Sequence, residues 1–246
     1  MMTMLTGSAE PCFGAHTDEV LHLMKQLLHK DVQENVSDVD LLYICISKQR
    51  LLEKETMECL LMLSRVYTEV FILSKQNKLD EAAASLARAR KVMGKFELTS
   101  AEKNILKILT YPRISYYYYK VGKYAVAKRY LSVAIGANAA YAARLPYFYL
   151  FTFQQQNNYV VLHFKTDQYA PGIRLLISNI SGMLRAYHSG HGEHSGEDLA
   201  QTSALLRLLL KDSAGILIRE VEKAGNKRLF DKYLEGINKH ELTAII

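Results

Sequence analysis

Apolar side chains recur every three or four positions along most of this 246-residue chain, which is the spacing of an amphipathic helix. Val20, Met24 and Leu27 show the pattern near the start of the chain. It predicts helices over residues 17–29, 38–48, 53–74, 80–92, 99–120, 124–135, 139–155, 159–164, 173–187, 196–224 and 228–240. Val160-Val161 would also suit a strand, but the helical neighbours favour a helix there. The sequence therefore predicts an all-α protein.

Turn signals divide these helices into antiparallel pairs, because short connections force neighbouring helices to run in opposite directions. Polar or glycine-containing segments at 76–78, 121–123 and 156–158 are predicted turns. Thr99 and Glu102 have the spacing of a capping box, which predicts a helix start. Further helix ends or interruptions are predicted at Gly94 (a C-cap), Pro112 (a kink or restart), Gly136 (a helix end) and Pro171-Gly172 (the clearest break in the chain).

Two of the predicted pairs share a repeated pattern around their turns. Lys78 to Ala82, followed by Leu86 and Ala89, matches Lys123 to Ala127, followed by Leu131 and Ala134. Small residues at equivalent positions would let adjacent helices approach closely. The repeat spacing is about 45 residues and then drifts to about 35 in the next, weaker unit.

The best of these units, at 108–141, resembles a tetratricopeptide repeat. The residues that carry the resemblance are Tyr111, Ile114, Ser115, Tyr118, Gly122, Tyr124, Ala127, Leu131 and Ala134. With a weaker unit on each side, the resemblance covers about residues 50–170. It implies an α-solenoid whose concave face binds a peptide or protein partner. The implied organisation is a loose tail at 1–14, a helical repeat region at 15–170 and a C-terminal helical cap at 171–246.

Charge is concentrated in one part of the chain. The whole sequence has 31 Lys and Arg against 25 Asp and Glu, a net charge of +6. Residues 103–166 contain no acid, nine of the basic residues and eleven of the sixteen tyrosines, so the rest of the chain sums to −3. A local positive field indicates the kind of partner better than a global one.

The resemblance places the first helix of each pair along the concave groove. The implied partner-binding residues are Arg113, Tyr116, Tyr119, Lys120, Lys123, Arg144, Tyr147 and Phe151, with Tyr67 and Phe71 from the preceding unit. Cations beside aromatic rings would suit an extended peptide that carries a carboxylate or an acidic side chain. Tyrosines at helical spacing are also common in cores, and a run such as Tyr116–Tyr119 covers all sides of a helix.

Other function classes stay open at this point. The same basic, aromatic segment would suit single-stranded nucleic acid, and an aromatic pocket would suit a small-molecule sensor or an enzyme. His188, His191 and His194 could chelate a metal, although a solvated loop is the simpler interpretation. We expect no cofactor and no catalytic role, since no nucleotide-binding or catalytic motif is present. Three cysteines without a CxxC pair, no leader pattern and no long apolar run favour a cytoplasmic protein without membrane insertion.

Overall fold

A computed structural model describes residues 13–29, 54–142, 148–189, 196–225 and 228–246. These residues form ten α-helices and no strand, which confirms the all-α prediction for the part of the chain that is described. The predicted helix at 38–48 and most of the predicted tail at 1–14 lie outside these residues. The helices are α1 (Phe13–His29), α2 (Lys54–Lys75), α3 (Leu79–Met93), α4 (Ser100–Lys120), α5 (Tyr124–Ala142), α6 (Phe148–Lys165), α7 (Tyr169–Ser189), α8 (Gly196–Ala224), α9 (Arg228–Leu234) and α10 (Lys239–Thr243).

Three helical hairpins with equivalent turns form the centre of the molecule: α2–α3, α4–α5 and α6–α7. Each turn contains one left-handed residue, namely Asn77 (φ 62°), Gly122 (φ 75°) or Asp167 (φ 54°), and successive ones are 45 residues apart. In each turn the next residue donates its backbone N–H to the carbonyl five positions earlier, at 2.9 Å, as in a Schellman motif. The repeat is therefore regular across all three hairpins.

The third hairpin corrects the sequence analysis. Residues 156–158 were a predicted turn, but they lie inside α6, and the turn falls at 166–168. The 45-residue spacing thus continues and does not shorten to about 35. Tetratricopeptide repeats have a period of about 34 residues, so the resemblance to that family stays a prediction.

Buried small residues hold each hairpin together at equivalent positions. Ala82 and Ala127 are fully buried in the first two hairpins, and Gly172 is buried at the same position of the third. A Cβ at Gly172 would lie 2.8 Å from a ring carbon of Phe164, so the third hairpin has room only for glycine. The break predicted at Pro171-Gly172 is wrong, because both residues lie at the start of α7, where proline is tolerated.

Other helix limits are partly as predicted. The capping box of Thr99 and Glu102 is formed, and Gly94 is the C-cap of α3. However, α4 runs through Pro112 without restarting, and α5 continues through Gly136 to Ala142. The single helix predicted at 228–240 is instead two short ones, α9 and α10.

The packing of the hairpins changes along the array. The second hairpin contacts the first mainly through α4 and α2, whereas it contacts the third mainly through α5 and α6. Little backbone contact joins α4 to α6, which leaves a cleft between them. At the far end, α8 packs against α6 and α7, and α1 packs against α8, α9 and α10. One large apolar cluster connects these helices.

Candidate groove between three helices

The cleft between α4 and α6 is a groove with a volume of about 800 Å³. Its floor is apolar and includes Ile108, Leu109, Leu131, Phe151 and Leu162. All five side chains are buried, so the floor belongs to the core that joins the hairpins. A groove of this size can take the side chains of a peptide or a small molecule.

The 45-residue repeat builds the walls of this groove. Thr68 and Phe71 line it from α2, and the equivalent residues Arg113 and Tyr116 line it from α4. On α6 the equivalent residues, Asn158 and Val161, line it as well. The groove therefore follows the same face of the first helix in each hairpin.

Aromatic rings form the wall contributed by α2 and α4. The rings of Phe71 and Tyr116 meet edge to face with centroids 5.0 Å apart, and Tyr119 lies 6.1 Å beyond Tyr116. The ammonium of Lys75 lies 5.1 Å from the centroid of Phe71. Neither tyrosine hydroxyl has a hydrogen-bond partner among the described residues, so both can bond to a ligand or to water.

Burial raises the pKa of the Tyr116 hydroxyl above its ordinary value of 10.0, and the neighbouring Tyr119 adds to the shift. The Tyr116 side chain is thus neutral at physiological pH and can both donate and accept a hydrogen bond. This suits the recognition of peptide groups or amides, whereas a tyrosinate could only accept.

Charged and amide groups complete the lining. Arg113 is half-buried, and its guanidinium donates to the backbone carbonyl of Ser64 at 3.1 Å, which ties α4 to α2. Asp212 of α8 contributes a carboxylate to the wall. Gln154, Gln155 and Asn158 add side-chain amides from α6. The described lining therefore carries both signs of charge and is less basic than the sequence of residues 103–166 suggests.

The predicted binding residues fall into three groups. Four of them line the groove together: Arg113, Tyr116, Tyr119 and Phe151. Lys120 is the last residue of α4 and Lys123 lies in the following turn, so both are next to the lining and not part of it. Arg144 and Tyr147 lie outside the described residues.

The two aromatic residues expected from the preceding unit lie in different places. Phe71 lines the groove, but Tyr67 is buried on the opposite side of the array, with only 6% of its surface exposed. There it belongs to a group that we call the Arg90 cluster: Arg90, Tyr67, Tyr111, Tyr118 and Tyr130. Its tyrosines are packing residues of the hairpins.

Sequence reasoning missed the contribution of α6 and α8. Gln154, Gln155, Asn158 and Val161 were not predicted because the region was divided by a turn at 156–158 that does not exist. The signal was present, since Asn158 and Val161 follow Arg113 and Tyr116 by 45 residues. Nothing in the sequence indicated Asp212, which a different part of the chain brings to the groove.

The structure bears on the possible metal-binding histidines only in part. The described part of the chain contains no group of three or more His, Cys, Asp or Glu side chains placed to hold a metal ion. The His188 ring lies 3.0 Å from the carbonyl of Glu241, while His191 and His194 are outside the described residues. Among the helices described, none is both long and apolar enough to cross a bilayer.

Comparison of the chain with protein-family models, with curated proteins and with solved structures finds no match in any of the three. The function must therefore be argued from the groove itself.

Proposed function

We propose that this protein is a non-catalytic binding module that holds an extended peptide segment of a protein partner in the groove between α2, α4 and α6. The observation that carries the proposal is the composition of the groove. An apolar floor lies beneath side-chain amides and tyrosine hydroxyls that have no partner among the described residues, in a cavity of about 800 Å³.

Each part of the groove matches one component of a peptide. The floor around Ile108, Leu131 and Phe151 can bury an aliphatic or aromatic side chain, at roughly 25 cal/mol for each Å² removed from water. The amide nitrogen of Asn158 donates to Gln155 at 3.3 Å, and its oxygen can accept from a peptide backbone. Tyrosine adds contact area at low entropic cost, because its ring has few rotatable bonds.

The proposal extends to the fold and the compartment. The three hairpins would form a solenoid similar to tetratricopeptide arrays, and α8–α10 would cover its last hairpin. An odd number of cysteines without a CxxC pair supports a reducing, cytoplasmic location.

Single-stranded nucleic acid is the second candidate, because residues 103–166 carry nine cations and no acid. The lining of the groove favours a peptide over this candidate. Ile108, Leu109, Leu131 and Leu162 make the floor largely aliphatic, and such a surface suits an apolar peptide side chain better than a stacked base.

Selection from a phage library of random twelve-residue peptides tests the proposal, with full-length protein as bait. Peptides that the wild type enriches are synthesised, and their affinity is measured by fluorescence anisotropy. We expect the Tyr116→Ala variant to bind them at least tenfold more weakly, since it removes part of the groove wall. Tyr117→Ala is the matched control, because it changes the adjacent residue of the same run without touching the groove lining.

Two results would contradict the proposal. One is a library that yields no binder sensitive to Tyr116→Ala. The other is equal loss of affinity in the Tyr116→Ala and Tyr117→Ala variants, which would indicate a general effect on folding. A twelve-residue oligo-dT is measured in parallel, and its binding with a steep salt dependence would favour the nucleic-acid candidate.

A further inference from the structure

A row of lysines marks one edge of the groove. Lys75, Lys120 and Lys165 are the last residues of α2, α4 and α6, and they are 45 residues apart. Each is followed by one of the three equivalent turns, so the three lysines occupy the same end of three equivalent helices. We call these three residues the lysine row.

The lysine row has no carboxylate partner among the described residues. Nearby lysines do have partners: Lys78 is 3.9 Å from a carboxylate oxygen of Glu81, and Lys128 donates to Thr166 and Gln168 at 2.7 Å each. A lysine in the last turn of a helix interacts favourably with the helix dipole. That interaction explains a preference for lysine at each position, but it leaves most of the hydrogen-bonding capacity of the ammonium unused.

The lysine row lies on the face that builds the groove. Lys75 lines the groove itself, with its ammonium over the ring of Phe71. Lys120 follows Tyr116 by four residues, and Lys165 follows Val161 by four, as Lys75 follows Phe71. Residues four apart share one face of a helix. The row is therefore continuous with the groove wall at its turn end.

The spacing of the row suits an extended chain. Packed helices lie about 8–10 Å apart, and an extended peptide rises about 3.3 Å for each residue. Lys75 and Lys120, on the packed helices α2 and α4, are thus about three residues of peptide apart. One extended segment of six to ten residues could reach all three lysines, at roughly 20–33 Å.

We propose that the partner segment is acidic: an extended peptide whose apolar side chain enters the groove while its Asp or Glu side chains meet the lysine row. This inference rests on the proposed function and specifies the class of ligand. Charge complementarity supports it, since the three cations have no carboxylate partner in the described structure.

Matched peptides and matched variants test this inference. Each peptide from the library selection is made in two forms, with its Asp and Glu residues intact or replaced by Asn and Gln. Both forms are titrated against wild type and against a Lys75→Gln/Lys120→Gln/Lys165→Gln variant. The control variant, Lys91→Gln/Lys95→Gln/Lys103→Gln, removes the same charge from exposed lysines away from the groove lining.

We expect wild type to prefer the acidic form by at least tenfold, and the lysine-row variant to lose that preference while still binding the amide form. The control variant should keep the preference, and added salt should reduce it. Selected peptides without acidic residues, or equal affinity for both forms, would overturn the inference of an acidic ligand. Neither result would contradict the proposal that the groove binds a peptide.

Two further results separate this inference from the proposed function. If no selected peptide depends on Tyr116, the groove proposal fails and the acidic ligand fails with it. The other result is that peptides do not bind, whereas oligo-dT binds the wild type and not the lysine-row variant. The lysine row would then bind phosphate, and the acidic-peptide inference would be overturned.

Discussion

The tyrosines on two faces of α4 have different surroundings. Tyr116 and Tyr119 point into the groove, where their hydroxyls have no partner in the described structure. On the other side, Tyr118 stacks on Tyr130 with ring centroids 5.5 Å apart and an interplanar angle of 10°. The guanidinium of Arg90 donates to the hydroxyls of both rings, at 3.0 and 3.1 Å.

The difference comes from the neighbours of α4 and not from the tyrosines. On the Arg90 side, α3 supplies the guanidinium of Arg90 and α5 supplies the ring of Tyr130, so the cluster is complete within the protein. On the groove side, α6 stands away from α4, and the tyrosine hydroxyls have no partner among the described residues. A hydroxyl with a protein partner indicates packing, whereas one that faces a cavity without a partner indicates binding.

The largest effect that we predict distinguishes these faces by stability. The Tyr130→Ala variant loses the stacked contact with Tyr118, an edge-to-face contact with Tyr111 at 5.0 Å and a hydrogen bond from Arg90. We expect its free energy of unfolding to fall by about 3 kcal/mol. Tyr116→Ala should lose about 1 kcal/mol, because Tyr116 has fewer packing partners. Urea denaturation followed by circular dichroism measures both.

This comparison has a clear opposite result. If Tyr116→Ala destabilises the protein as much as Tyr130→Ala, the groove wall is a packing element like the Arg90 cluster. The distinction between the two faces would then be wrong, and Tyr116 would lose its value as a probe of binding.

The helix content and the first two hairpins could be predicted from the sequence, because their signals are local. The turn at 121–123 has a glycine at its left-handed position, and Thr99 and Glu102 form the predicted capping box. The third turn could not be found in the same way, since Asp167 takes the left-handed conformation without the glycine signal. The polar run at 156–158 looks like a turn because the burial of Asn157 is a tertiary effect.

Asn157 shows what the sequence could not reveal. Its amide is buried between α6, α7 and α8, where its oxygen accepts from Asn179 at 2.6 Å and from Ser213 at 2.8 Å. Asn179 also occupies the position that Ala89 and Ala134 hold in the first two hairpins, which hid the third repeat. Buried polar residues that bond to one another across three helices cannot be told from exposed polar residues in a single sequence.

The candidate site was predictable only in part, for a geometric reason. A run of four tyrosines covers every side of a helix, so the residue types alone cannot assign Tyr116 to the groove and Tyr118 to the Arg90 cluster. That assignment depends on where α6 lies, and the sequence placed its C-terminal half in the wrong element. Arg113 was found because it lies on a helix whose limits were almost correct, and Phe151 because it lies in the N-terminal half of α6, which was predicted as helix.

A smaller effect should come from Arg90 itself. We expect Arg90→Met to lower the free energy of unfolding by about 1 kcal/mol, since it removes the donor to two tyrosine hydroxyls but keeps much of the aliphatic contact. Arg88→Met is the control two residues away. Arg88 pairs with Glu69 on the exposed surface, where an ion pair contributes little. Equal effects of the two variants in urea denaturation would mean that Arg90 does not organise the cluster.

The smallest effect concerns alkaline pH and compares Tyr67 in the Arg90 cluster with Tyr116 in the groove. Burial raises the pKa of both hydroxyls above 10.0. The folded state therefore holds these protons more tightly than the unfolded state does. Their contribution to stability is present below about pH 10 and is lost as the pH rises through the raised pKa values.

Urea denaturation between pH 9 and pH 11.5 measures this loss in wild type, Tyr67→Phe and Tyr116→Phe. Lysines titrate in the same range, so the informative quantity is the difference between each variant and wild type. We expect Tyr67→Phe to reduce the pH dependence more than Tyr116→Phe, because Tyr67 is only 6% exposed and Tyr116 borders the groove. If Tyr116→Phe has the larger effect, the groove tyrosine is better shielded from water than the packed one. The groove would then be closed in solution, and the contrast between the two faces of α4 would fail.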